Sequence, residues 1–174
     1  MREYEKTVYT LSNKAIGFLL FYYTVILIGG LIFTVSIACS LSSEMDKSIL
    51  LYNTFLNSVS VSSVLCSIQY IRRIYKACIT ERIDVENHTY KSIGYVLYFF
   101  FRPFFAAAFS IVAVFAMLSG MFVVTSNLDY ILNEKFLYIC TIVSAFIGYS
   151  IGSVVNKFEQ IGTDRIEKFS KEGF

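Results

Sequence analysis

Apolar residues gather into four long stretches of the chain, separated by short polar clusters, and no stretch alternates as a half-buried strand would. The longest run covers residues 93–124, where the only charge is Arg102 and the only proline is Pro103. As one helix it would reach roughly 48 Å at about 1.5 Å per residue, well beyond a hydrocarbon core of about 30 Å. Arg102 is the natural point of division. A cation at the bilayer centre costs about 2.5–3.5 kcal/mol, whereas at the interface its long stem lets the charge snorkel to water. Pro103 agrees, because a proline in a first helical turn gives up an N–H that would be unpaired anyway. A spanning helix over 104–124 is therefore expected, with 93–101 as an aromatic elbow or kinked extension and Arg102 and Pro103 at the membrane interface.

The other stretches fit around this one. Residues 15–40 carry no charge and make a first span, with Gly29 and Gly30 near its middle offering close approach to a neighbour. Residues 48–71 make the second. There Asn53, Asn57, Ser60, Ser63 and Ser67 recur every three or four residues, so one helix face is polar through most of its depth. Such a face avoids lipid and serves either as a helix interface or as a pore lining; interface hydrogen bonding weighs more, because small hydroxyl side chains are common between membrane helices. The helix is expected to continue past Ile71 with a basic face that includes Arg72, Arg73 and Lys76, before a turn over 84–89 that holds the single histidine, His88. Residues 136–155 form the fourth span, where Thr141, Ser144, Gly148 and Gly152 place small residues on one face. A similar strip of Ala106, Ser110, Ala113 and Gly120 on the third span predicts that these two helices pack as a hairpin. Residues 1–14 and 156–174 carry apolar residues at helical spacing among charges and read as amphipathic surface segments.

The fold class that follows is all-α: a polytopic membrane protein of four transmembrane helices in two hairpins. Its parts are a cytoplasmic lead-in (1–14), a first hairpin (15–71), a basic loop and elbow (72–103), a second hairpin (104–155) and an amphipathic tail (156–174). Composition agrees, since 56% of residues are hydrophobic and only 16% charged, against roughly a quarter charged in soluble domains. The net charge of +2 matters less than its placement. Basic residues gather in the lead-in, the loop between spans two and three, and the tail, while the other two loops hold only Lys47 and Lys135. Positive residues favour the cytoplasm, so both termini are expected inside, in the inner membrane.

Catalytic chemistry has little to build on. No Asp, Glu, Lys or His falls within an expected span, which removes the acid that a proton-coupled exporter needs. There is no P-loop, GxSxG elbow or HExxH motif, and Cys39, Cys66, Cys78 and Cys140 form no CxxC. No enzyme activity, cofactor, metal or direct nucleic-acid binding is expected. Whether Cys39 and Cys140 pair is left open by the sequence.

Arg102-Pro103 followed by small residues, together with the run Ala145-Phe146-Ile147-Gly148-Tyr149-Ser150 before a charged tail, resembles small prokaryotic membrane effectors of retrons and related anti-phage systems. The likeness covers the last two helices and rests on Arg102, Pro103, Gly148 and Ser150; Ile151 stands where that group carries a glutamate. The resemblance implies an oligomer that permeabilises the membrane when a cytoplasmic partner, reached through the basic loop, activates it. Four helices of this size enclose no obvious aqueous channel, so conduction requires a homo-oligomer in the bilayer. The alternatives are a non-enzymatic scaffold subunit of a membrane complex and a small uncoupled channel.

The orientation has a direct test. Single cysteines at positions 45 and 130, in a cysteine-free background, should react with an impermeant reagent from the periplasm, and those at 84 and 170 only from the cytoplasm. Periplasmic labelling at 84 would reverse the topology.

Overall fold

A computed structural model of the chain describes residues 9–40, 46–79, 83–84, 89–125 and 133–172. The described chain is helical apart from one very short pairing. Helix α1 covers Asn13–Ser40, α2 Lys47–Ile79, α3 Thr89–Phe100, α4 Arg102–Thr125 and α5 Glu134–Glu172. Two-residue strands β1 (Tyr9–Thr10) and β2 (Ile83–Asp84) pair in parallel, Tyr9 opposite Ile83 and Thr10 opposite Asp84. Four helical segments are long and apolar enough to cross a membrane: Asn13–Ser40, Lys47–Ile79, Ile93–Gly120 and Glu134–Val155.

Helix starts follow local chemistry. The Ser12 carbonyl accepts the Ile16 N–H at 3.0 Å and its hydroxyl accepts the Ala15 N–H at 3.2 Å, so Ser12 caps α1. Asn133 does the same for α5, its side-chain oxygen accepting the Phe136 N–H at 3.0 Å. Within α1, α2 and α5, serine and threonine hydroxyls return their protons to carbonyls one turn back, as Thr24 does to Leu20 at 2.7 Å and Ser36 to Ile32 at 2.9 Å. This closes the polar group inside its own helix, which is how such residues sit in an apolar solvent at small cost.

Helix α2 is the hub, packing extensively on α1, α4 and α5. Its contacts are made by small residues. At Gly148 of α5 an added Cβ would stand 2.7 Å from the Ser62 Cα and closer still to the Ser62 carbonyl oxygen, so the two backbones touch and no other residue fits. At Gly30 of α1 the corresponding atom would lie 2.5 Å from a Val64 methyl. Gly29 and Gly120, by contrast, face open space. The buried residues of the bundle include Thr54, Asn57, Ser58, Ser62, Ser67, Ser110 and Ser144, while Phe21, Ile32, Val112 and Phe146 are exposed. A fold with polar side chains inside and large apolar ones outside suits hydrocarbon as its solvent and is compatible with a multi-pass membrane protein.

Several sequence expectations change. The small face of span four turns mainly to α2, since Gly148 meets Ser62 and Gly152 meets Tyr70 and Arg73. The chain before α1 ends as an extended pair with β2, where an amphipathic helix was expected; residues 1–8 lie outside the described residues. Helix α2 does run on past Ile71, to Ile79. Helix α5 continues unbroken through the tail for 39 residues, so no turn separates span from tail. His88 lies outside the described residues. All four cysteines are free, with Cys39 exposed on α1 and Cys140 buried against Val114 and Phe136.

Because Gly148 touches backbone and Gly29 touches nothing, the two should respond differently to substitution. Gly148→Val is expected to lower the unfolding midpoint in detergent by the equivalent of about 1–3 kcal/mol, or to prevent folding, whereas Gly29→Ala leaves it within about 0.5 kcal/mol. Circular dichroism melting measures both.

Candidate functional site

The long apolar run breaks at Phe101, between α3 and α4, and the chemistry of the break follows from Pro103. Proline has no N–H, so the carbonyl of Phe99, four residues earlier, loses the donor that a continuous helix would supply. Helix α1 provides the replacement: the Tyr23 hydroxyl donates to the Phe99 carbonyl, and the adjacent Tyr22 hydroxyl donates to the Phe100 carbonyl at 3.2 Å. The Phe101 N–H still reaches the Leu97 carbonyl at 3.0 Å and the Phe105 N–H the Phe101 carbonyl at 3.1 Å, so the break is a local defect in a nearly continuous rod. Aromatic packing holds it. Tyr22 stacks on Phe100 with centroids 4.8 Å apart, and Tyr23 stacks on Tyr70 of α2 at 5.9 Å.

Arg102 opens α4 inside this aromatic setting. Its side chain is only 1% exposed, and its Nε, Nη1 and Nη2 atoms have no hydrogen-bond partner. The guanidinium carbon lies 3.9 Å from the centre of the Tyr98 ring and 5.9 Å from that of Tyr70. Arg73, half-buried on α2, lies 5.2 Å from the same Tyr70 ring. The Tyr70 hydroxyl is buried and unpartnered. Cation–π contacts are worth about 2 kcal/mol or somewhat more when desolvated, while burying an unpaired ion costs several kcal/mol. The rings therefore offset only part of the cost of this charge.

Arg102 and Pro103, expected at the membrane interface, are both buried among protein. Snorkelling requires a free stem, and here the stem is enclosed by α2 and α3 rings. Ile151 is fully buried in the same cluster as Tyr70 and Phe99 and brings no counter-charge. Ser150 donates to the Phe146 carbonyl at 2.6 Å and takes no part in that cluster.

The polar stripe of α2 is brought into helix contacts. Asn57 is buried and donates through Nδ2 to the Thr141 hydroxyl of α5 at 2.7 Å, leaving its Oδ1 without a partner. The Ser60 hydroxyl donates to the Gly30 carbonyl of α1 at 2.9 Å, with Thr34 at 3.2 Å. Ser67 is buried and donates to the Ser63 carbonyl at 2.8 Å. Asn53 and Ser63 are half-buried. A second polar face escaped the sequence reading: Thr54, Ser58 and Ser62 are all fully buried, and Ser62 lies 3.2 Å from Ser110 of α4. Ser58 and Ser144 hydroxyls are buried without partners. The signal was present as the dense run of serines over 58–67, which places hydroxyls on more than one face.

No known protein family, curated protein or solved structure matches the chain. Its own geometry carries the functional argument.

The clamp on the helix break is testable by a double-mutant cycle. Tyr23→Phe should destabilise the protein by about 1 kcal/mol, because it removes the hydroxyl that donates to the buried Phe99 carbonyl. In a Pro103→Ala background the restored N–H reaches that carbonyl, and the cost of Tyr23→Phe should shrink by at least half. Equal costs in both backgrounds would separate the proline from the tyrosine clamp.

Proposed function

We propose that the protein is a multi-pass inner-membrane protein with both termini in the cytoplasm, and that it assembles into a homo-oligomer that permeabilises the membrane when a cytoplasmic partner activates it. The observation that carries this reading is the polar interior. Asn57, Ser58, Ser62, Ser110 and Ser144 are buried along the bundle. Asn57 Oδ1, Ser58 Oγ, Ser144 Oγ and Gln69 Oε1 have no partner. In a low-dielectric interior such atoms cost about 1–3 kcal/mol each, and water entering between α2, α4 and α5 would satisfy them. A bundle carrying that cost is biased toward a state in which those faces separate and hydrate. The resemblance of the last two helices to anti-phage membrane effectors supplies the trigger, a cytoplasmic partner acting at the basic end of α2.

The scaffold reading is favoured by a different observation, the direct bonds of Asn57 to Thr141 and Ser60 to Gly30, which close the bundle within one chain. Under that reading the unpartnered atoms stay dry and the membrane stays tight.

Dye release from vesicles separates the two. Purified full-length protein should release an entrapped small anionic dye, and Ser58→Val with Ser144→Val, which remove unpartnered hydroxyls, should slow release by about tenfold or more while leaving folding intact. Ser60 is avoided in this design, because its side chain already lies against Gly30 of α1 and bonds to its carbonyl. Absence of release together with a monomeric state in the bilayer, even with the natural partner present, would leave the scaffold.

A further inference from the structure

We infer that Arg102 is the anchor of an anion-binding site for a phosphate-type oxyanion, presented either by a phospholipid headgroup or by free phosphate. The inference rests on the helix break alone and stands apart from the permeation reading. Its starting point is a charge without a counter-charge. Arg102 is 1% exposed, all three guanidinium nitrogens are buried without a partner, and no acidic residue occurs in α1, α2, α3 or α4. The two aromatic faces nearest to it cover the cation but accept no hydrogen bond in the plane of its fork.

The donors that remain are of one kind. Arg102 offers its N–H groups in a planar fork that matches two oxygens of a phosphate, and arginine is the side chain best suited to that bidentate geometry. Tyr70 adds a buried, unpartnered hydroxyl, and its ring carries Arg73 as a second guanidinium at 5.2 Å. Gly152 lets both groups pack directly on the α5 backbone: a Cβ there would lie 2.8 Å from Arg73 Nη1 and 2.9 Å from the Tyr70 hydroxyl. Two cations and a phenol with no carboxylate among them favour an anion over a metal or a neutral ligand. Lys14, Arg72 and Lys157 are exposed on α1, α2 and α5 toward the same end of the bundle, where they would attract an anion toward Arg73. Since the Arg102 nitrogens are closed off in this structure, the anion enters as the break at Phe101 loosens, and its binding holds α2 against the start of α4.

The test uses full-length protein in a non-ionic detergent, with unfolding followed by far-ultraviolet circular dichroism, which suits a chain without tryptophan. One arm adds inorganic phosphate against potassium fluoride at matched ionic strength. The other adds phosphatidylglycerol against diacylglycerol, which shares the tails and lacks the phosphate. Wild type is expected to gain about 5 °C or more in midpoint in at least one arm at saturating ligand. Arg102→Met should gain nothing in either arm, and without ligand it should melt no lower than wild type, because a buried unpaired charge has been removed. Arg102→Lys keeps the charge but loses the fork and should retain less than half of the gain, which preserves the test if the methionine variant fails to fold. A gain with phosphate alone assigns a soluble oxyanion, and a gain with the lipid alone assigns a headgroup. No gain in wild type, a gain equally produced by the fluoride or diacylglycerol control, or a gain unchanged by substitution at Arg102 overturns the site.

Discussion

The close backbone contact between α2 and α5 is the constraint on which the rest of the bundle depends. In hydrocarbon, helices gain nothing by hiding leucine from lipid tails, so they must be held by tight packing and by polar contacts that lipid cannot replace. Both are concentrated on α2. Gly148 lets α5 settle against the Ser62 backbone, Ser62 lies within reach of Ser110 on α4, and Ser60 bonds to the Gly30 carbonyl on α1. A serine-rich helix can serve three neighbours because its side chains are short enough to bring backbones together and polar enough to bond where they meet. Aromatic and branched residues then fall to the outside, as Phe21, Phe146 and Val112 do.

At the helix break between α3 and α4 the backbone is satisfied without water, while the Arg102 and Tyr70 side chains are not. Pro103 removes a donor from the Phe99 carbonyl, and Tyr23 restores it from another helix. The backbone defect is thereby repaired at the cost of tying α1 to the break. Arg102, one residue before the proline, receives no such repair. Aromatic rings enclose it without neutralising it. A charge left in that condition is a point where the fold is held short of its most stable arrangement, and such points are where binding does most to change stability.

The polar interior raises a related balance. Each interhelical bond seen here is worth little, about 0.6 kcal/mol on average in membrane proteins, while an unpartnered buried hydroxyl costs more than that. Asn57 shows both sides, bonded through one atom to Thr141 and unpartnered through the other. The interior thus combines many weak polar contacts with several polar atoms left over.

What the sequence determined by itself was the number of apolar helices, their approximate limits, the break near Arg102-Pro103 and the polarity of α2. These are properties of composition, length and helical period, which act locally and need no knowledge of neighbours. The starts of α1 and α5 are local as well, since Ser12 and Asn133 cap them with their own side chains. Only the tertiary structure decided which partner each face meets. The last two helices do pack together, through Val114, Phe136 and Cys140, but Gly148 and Gly152 meet α2, because small residues permit close approach without specifying to what. The same limit applied to Arg102. Its charge marked a division of the apolar run, but whether its stem reaches water or is enclosed by Tyr70 and Tyr98 depends on rings contributed by two other helices. A sequence period cannot encode that convergence, and the buried, unpaired charge became visible only once the helices were packed.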